Sequence, residues 1–244
     1  MVYGSTPRNV TDDHRPLWRR AFDVLIPAPC LACDQPVDAP SVGLGLCAIC
    51  RRRLVCWPSD LSHDPLDDPN PPPWDRIRSL WIYRPPLDRV LLGLKFRRLE
   101  YLGWQLGRRL AEELGPWLGT VGAVVPVPLH WTRRWQRGYD QAEVLAASMA
   151  LELGVPLWSR ALVRRRPTRP QSRRDRHGRL KNLRGAFALR PWRRRILQGR
   201  HVVLVDDVVT TGATLRAAAQ CLAESGAGTI SAVTVARTPE DGGK

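Results

Sequence analysis

Apolar side chains recur at helical spacing between Pro86 and Leu114: Leu87, Val90, Leu91 and Leu94, then Leu102, Leu106 and Leu110. Intervals of three and four residues place them on one helical face. Gly93 and Gly103 lie inside the run, which therefore reads as one kinked helix or as two, with Gly115-Pro116 as the stop. The pattern then changes. Val121–Val127 is a β-branched run of the kind that forms a parallel strand buried on both faces. Tyr139–Leu153 returns to helix, with Val144, Leu145, Ala147, Met149 and Leu151 among its apolar residues and Gly154 closing it. Ile77–Tyr83 reads as a strand, as do a stretch near Leu157–Val163 and a short one at Ala186–Leu189.

The clearest unit runs from Gly199 to Arg237: a strand at 202–205, a loop at 206–212, a helix from about 213 to 225, Gly226, and a strand at Thr229–Val235. This is a βαβ unit, parallel and right-handed by the general rule. With the strand–helix–strand order before it, the chain predicts a doubly wound α/β sheet. Elsewhere the patterning fades. Residues 1–16 and 238–244 read as disordered ends, and 58–75 is a Pro-rich linker. A short helix at 17–25 leads into a cysteine-bearing module at 17–57, and the α/β domain occupies 76–237. Residues 164–185 have almost no apolar periodicity and read as a long mobile loop, a feature that is commonly functional.

Composition changes this picture at two places. The chain has 244 residues and a formal net charge of +15, yet sixteen Lys/Arg and only one acid, Asp175, fall between Arg160 and Arg200. The whole excess therefore sits in one segment, which should attract nucleic acid or a phosphate-rich ligand. No apolar run approaches the ~20 residues of a membrane span, and the N-terminal stretch is too interrupted for a secretory signal, so a cytoplasmic protein is expected.

Of six cysteines, four form Cys30-x₂-Cys33 and Cys47-x₂-Cys50, with thirteen residues between the pairs. That is the spacing of a tetrahedral Cys₄ zinc site, in which each knuckle aims two thiolates at one ion. A disulfide framework competes, but nothing suggests export. Cys56 and Cys221 are then left as spare thiols, expected to be buried.

Val202-Val203-Leu204-Val205-Asp206-Asp207-Val208-Val209-Thr210-Thr211-Gly212-Ala213-Thr214 carries the candidate chemistry. In such sheets ligands sit outside the carboxyl ends of the strands. Asp206 and Asp207 lie at such an end, and Thr210, Thr211, Gly212, Ala213 and Thr214 wrap into a helix N-terminus. Free amides and the helix dipole there favour a phosphate, and the threonine hydroxyls add donors. Gly212 lets the backbone approach a ligand closely. Two adjacent acids suit vicinal ribose hydroxyls, directly or through Mg²⁺ and water.

This segment resembles the signature of type I phosphoribosyltransferases, in which the acids hold the ribose hydroxyls and the Thr-rich loop holds the 5′-phosphate of phosphoribosyl pyrophosphate (PRPP). Other stretches are similar to the ComF family of phosphoribosyltransferase-like competence proteins. They are the paired CxxC after Leu25-Ile26-Pro27; Tyr83-Arg84-x-Pro86-Leu87 with Leu94-Lys95-Phe96; Val125-Pro126-Val127-Pro128-Leu129 with Arg134 and Arg137-Gly138-Tyr139-Asp140-Gln141; and Arg166, Thr168, Gln171, Arg176, Asn182 and Gly185-Ala186-Phe187. Asp140 stands where that family often has Asn, and Arg173-Arg174 replace a small and an apolar residue. The resemblance implies a type I phosphoribosyltransferase-like parallel sheet flanked by helices, with an N-terminal zinc finger. It also implies PRPP binding with Mg²⁺, and a role in natural transformation or in handling imported single-stranded DNA. A competence helicase and a recombination mediator are the protein partners it points to.

Three functions follow: a factor handling single-stranded DNA on a PRPP-binding scaffold, a turning-over phosphoribosyltransferase, and a regulator that only senses PRPP. Arg133, Arg134, Arg137, Arg166 and Arg176 are the candidates for contacting pyrophosphate in the second or DNA phosphates in the first. Trp131, Trp135 and Trp158 flank the basic stretches as candidate stacking platforms. No catalytic residue is evident. The transferases that act on 6-oxopurines carry an acid as general base two residues before the loop glycine, and here that position is Thr210. A hydroxyl cannot replace that base near neutral pH without its own activator.

Overall fold

A computed structural model describes residues 29–37, 44–58, 72–97, 99–129, 138–165 and 185–239. The expected helix at 17–25, both ends and most of the 58–75 linker and of the 164–185 loop lie outside the described residues. In chain order the elements are α1 (Ala48–Arg52), β1 (Arg76–Ile82), α2 (Leu87–Phe96), α3 (Glu100–Leu118), β2 (Ala123–Pro126), α4 (Gln141–Leu153), β3 (Leu162–Arg164), β4 (Phe187–Leu189), α5 (Arg194–Leu197), β5 (His201–Val209), α6 (Ala213–Glu224) and β6 (Thr229–Arg237).

Four strands form one parallel sheet in the order β1-β6-β5-β2. Val202–Val205 of β5 is fully buried, as a strand covered on both faces must be. Its side chains alternate between two cores. Val203 and Val205 join Leu102, Leu106 and Leu110 of α3 and Leu145 and Met149 of α4 on one face. Val202 and Leu204 join Leu215, Ala218 and Leu222 of α6 on the other. The α/β sheet flanked by helices is thus as expected.

Several details differ from the sequence reading. The Pro86–Leu114 run is two helices, but the break falls at 97–99 and not at a glycine. Gly103 and Gly107 instead let α4 approach: a Cβ on Gly107 would lie 2.4 Å from the Leu145 carbonyl oxygen, and one on Gly103 2.7 Å from Val144. Gly115-Pro116 does not end α3, which continues to Leu118. A proline in the last turn removes only one intrahelical bond. The free carbonyls there are taken up by Arg76 of β1, whose guanidinium donates to the Trp117 and Leu118 oxygens at 2.9 and 2.8 Å and lies 4.7 Å from the Trp117 ring centroid. Arg76→Met should cost about 2–3 kcal/mol, since the bonds lost are charge-assisted. An unchanged denaturation midpoint would show that solvent caps this helix equally well.

The strand expected near 157–163 is split. Leu157 only bridges to Val124, and β3 pairs antiparallel with β4 in a separate two-stranded sheet. The loop expected at 206–212 is shorter, because β5 continues to Val209 with Asp206 opposite Thr234 and Val208 opposite Ala236. Parallel pairing uses backbone groups, so acidic side chains do not stop it.

Candidate functional site

The carboxyl end of β5 is the centre of the site. Asp206 and Asp207 lie in its last turns of ladder, and Thr210-Thr211-Gly212 leads into α6. Gly212 sits at φ 68°, a left-handed conformation that glycine adopts without strain. A small concavity of about 50 Å³ is lined by Asp206, Thr210, Thr211, Gly212, Ala213 and Thr214, among others. Of the expected cradle residues, all but Asp207 line this concavity.

Two further elements reach this wall. Lys95, at the end of α2, forms an ion pair of 2.7 Å with Asp207 Oδ2. Asp207 Oδ1 accepts from the Val208 amide at 2.8 Å, and Asp206 Oδ1 from the Asp207 amide at 2.8 Å. The Tyr139 hydroxyl donates to the carbonyl of Leu94, next to Lys95, and Asp140 Oδ2 accepts from the Leu129 amide at 2.9 Å. Segments singled out separately in the sequence thus meet at the strand ends. The pairing of Lys95 with Asp207 joins residues remote in sequence.

Burial raises the Asp206 carboxyl well above the usual carboxylate range, and the neighbouring Asp207 adds to the shift, with a smaller push from Asp140. The Asp207 amide and Lys95 pull the other way. The cradle thus presents one acid neutralised by Lys95 beside one that resists ionisation. A ligand bringing hydroxyl donors or a divalent cation relieves that repulsion.

The four knuckle cysteines also converge. The sulfurs of Cys30, Cys33, Cys47 and Cys50 all lie within 4.8 Å of one another, with Cys33 and Cys47 at 3.7 Å. Tetrahedral zinc at ~2.3 Å from each sulfur requires S···S separations of about 3.8 Å, so the set fits that ion. Burial works against the Cys30 thiolate, but the amides of Cys47, Ala32 and Cys33 bring it down to about 6. Cys50 is pushed up to about 12 by burial and by the other three thiols. Cys30, Cys47 and Cys50 pack into the same apolar cluster as α3. The spare thiols are not buried as expected: Cys56 is exposed and Cys221 half-buried.

Arg133, Arg134, Arg137, Arg166 and Arg176 lie outside the described residues, as do Trp131 and Trp135. Trp158 is only 4 % exposed and packs in the core, so it is not a stacking platform. The exposed tryptophan of the basic segment is Trp192, at 61 %. The sequence offered one signal for it, its place between Arg190 and Arg193. No helix of the described residues is long and apolar enough to cross a membrane.

The family model for the phosphoribosyl transferase domain matches residues 140–244. DNA utilization protein YhgH of Escherichia coli K12 is 34 % identical over 230 residues, covering 87 % of this chain and 98 % of that protein. Competence protein F of Haemophilus influenzae is 30 % identical over 213 residues, covering 79 % and 90 %. The chain belongs to the ComF family. A shorter match, 33 % over 116 residues and 47 % of this chain, joins it to competence protein ComFC of Bacillus subtilis, of which it covers 44 %. The ComF chain thus pairs a phosphoribosyltransferase-like sheet with a four-cysteine cluster able to hold a metal.

Proposed function

We propose that this ComF protein binds PRPP, or a related ribose-phosphate, in the Asp206–Thr214 cradle and acts in handling single-stranded DNA. The observation that carries the first half is the joining of two acids at a strand end to a Thr-Thr-Gly turn that opens a helix. In that arrangement the 5′-phosphate takes the amides of Thr211–Thr214, and the acids take the ribose hydroxyls or a Mg²⁺ held with the pyrophosphate. Arg133, Arg134, Arg137, Arg166 and Arg176 supply the phosphate contacts. The DNA half is supported by the names of the relatives and by the segment carrying the whole net charge. Zinc held by Cys30, Cys33, Cys47 and Cys50 is structural in this reading, and the protein acts in the cytoplasm.

Turnover is a second reading. Thr210 speaks against a 6-oxopurine acceptor, because no carboxylate stands there to take the proton. The DNA half is tested by titrating an unstructured oligonucleotide at several salt concentrations. Affinity should fall steeply with salt, the logarithmic slope being about −0.7 per phosphate neutralised. Binding that ignores salt, or none at low salt, contradicts it.

A further inference from the structure

A second, larger cavity, about 320 Å³, opens beside the carboxyl end of β2. Pro126 at the end of β2, Pro128 and Leu129 just after it, and Leu162 and Val163 of β3 give it an apolar lining. Three guanidiniums from three places in the chain line it: Arg160 before β3, Arg164 in β3 and Arg190 after β4. One carboxylate faces them, that of Asp140, which already accepts the Leu129 amide. Among the described lining residues two positive charges therefore remain in excess. Among the described residues no carboxylate forms an ion pair with Arg160 or Arg190, and the buried Nε of Arg190 has no hydrogen-bond partner. That excess of guanidinium charge around one cavity favours an anion there.

A flat apolar group belongs beside that anion. The Arg190 guanidinium lies 5.0 Å from the ring centroid of Trp192, whose side chain is largely in solvent. Arg190 thus links the cavity to an exposed indole, the pairing of phosphate contact and stacking surface that single-stranded nucleic acids use. A cavity of a few hundred Å³ or more has room for a nucleotide.

We propose that this cavity and Trp192 form a nucleotide subsite for single-stranded DNA, distinct from the ribose-phosphate cradle. A backbone phosphate sits on Arg160, Arg164 and Arg190, and the adjoining base stacks on the free face of Trp192. The inference rests on the DNA half of the proposed function and names where that contact is made.

The test uses the full-length, zinc-loaded chain and a deoxythymidine decamer, with affinity measured across a salt series. Arg160→Met/Arg190→Met should weaken binding and make the logarithmic salt slope shallower by about 1.4, the share of two phosphate contacts on a single strand. Trp192→Ala, at an exposed position, should weaken binding about tenfold and leave that slope unchanged, because stacking releases no counterions. Thermal transitions matching wild type establish that the variants are folded. If wild type binds the decamer while the arginine pair and Trp192→Ala behave identically to it, the subsite is overturned and the DNA function stands. If wild type fails to bind at any salt concentration, both fall.

Discussion

Replacing both acids, Asp206→Asn/Asp207→Asn, should lower affinity for PRPP in the presence of Mg²⁺ by at least about a hundredfold while leaving the protein folded. Each carboxylate is worth about 1.5–3 kcal/mol as a charged hydrogen-bond partner, and the two together about 3–6 kcal/mol. Stability should move the other way. Burial and the Asp207 charge raise the Asp206 pKa in the folded chain. The folded state then holds that proton more tightly than the unfolded state. Its stability is therefore greatest below the ordinary carboxylate pKa and declines as pH rises through the raised folded value. Asparagine at 206 can still accept the Asp207 amide and removes this decline. The single variant Asp206→Asn, which keeps the Lys95–Asp207 ion pair, should therefore have the higher Tm at neutral pH. Binding has its own signature: ligand that needs ionised Asp206 should bind more tightly as pH rises through the same range and release a proton. A double variant that binds PRPP as wild type does would separate the cradle from the ligand.

The second large effect concerns the metal. Four sulfurs within 4.8 Å cannot all be thiolates without a cation, and Cys50 alone is held up to about 12. Zinc uptake should therefore release protons and weaken at low pH. Because Cys30, Cys47 and Cys50 share an apolar cluster with Leu102 and Leu106, losing the ion loosens more than a local knuckle. Chelation, or Cys47→Ser, should lower Tm by about 10 °C or more, since structural zinc contributes ~10 kcal/mol or more to the folding of small fingers. Cys56→Ser and Cys221→Ser should keep the metal. Elemental analysis that found no zinc in protein purified without chelator would refute the assignment.

Much of this arrangement was legible in the sequence because it is local. Val202–Val205 declared a strand buried on both faces, and the Thr-Thr-Gly turn declared its own conformation through Gly212. The two CxxC knuckles carried their geometry in their spacing. What escaped was set by contacts between distant segments. Pro116 reads as a stop until Arg76, on another element, is seen capping the carbonyls beyond it. Asp206 reads as loop because its pairing with β6 uses no side chain. Lys95 belongs to the site only through the docking of α2, and Trp158 and Trp192 look alike beside arginines although tertiary packing buries one and exposes the other.

The Asp206–Thr214 wall is proposed to be a ribose-phosphate cradle. Calorimetric titration of PRPP into the zinc-loaded wild-type chain, with Mg²⁺ present, tests it most directly. A single saturable site competed by ribose 5-phosphate is the predicted result. An absence of binding at millimolar PRPP, or binding that ribose 5-phosphate does not displace, would contradict it.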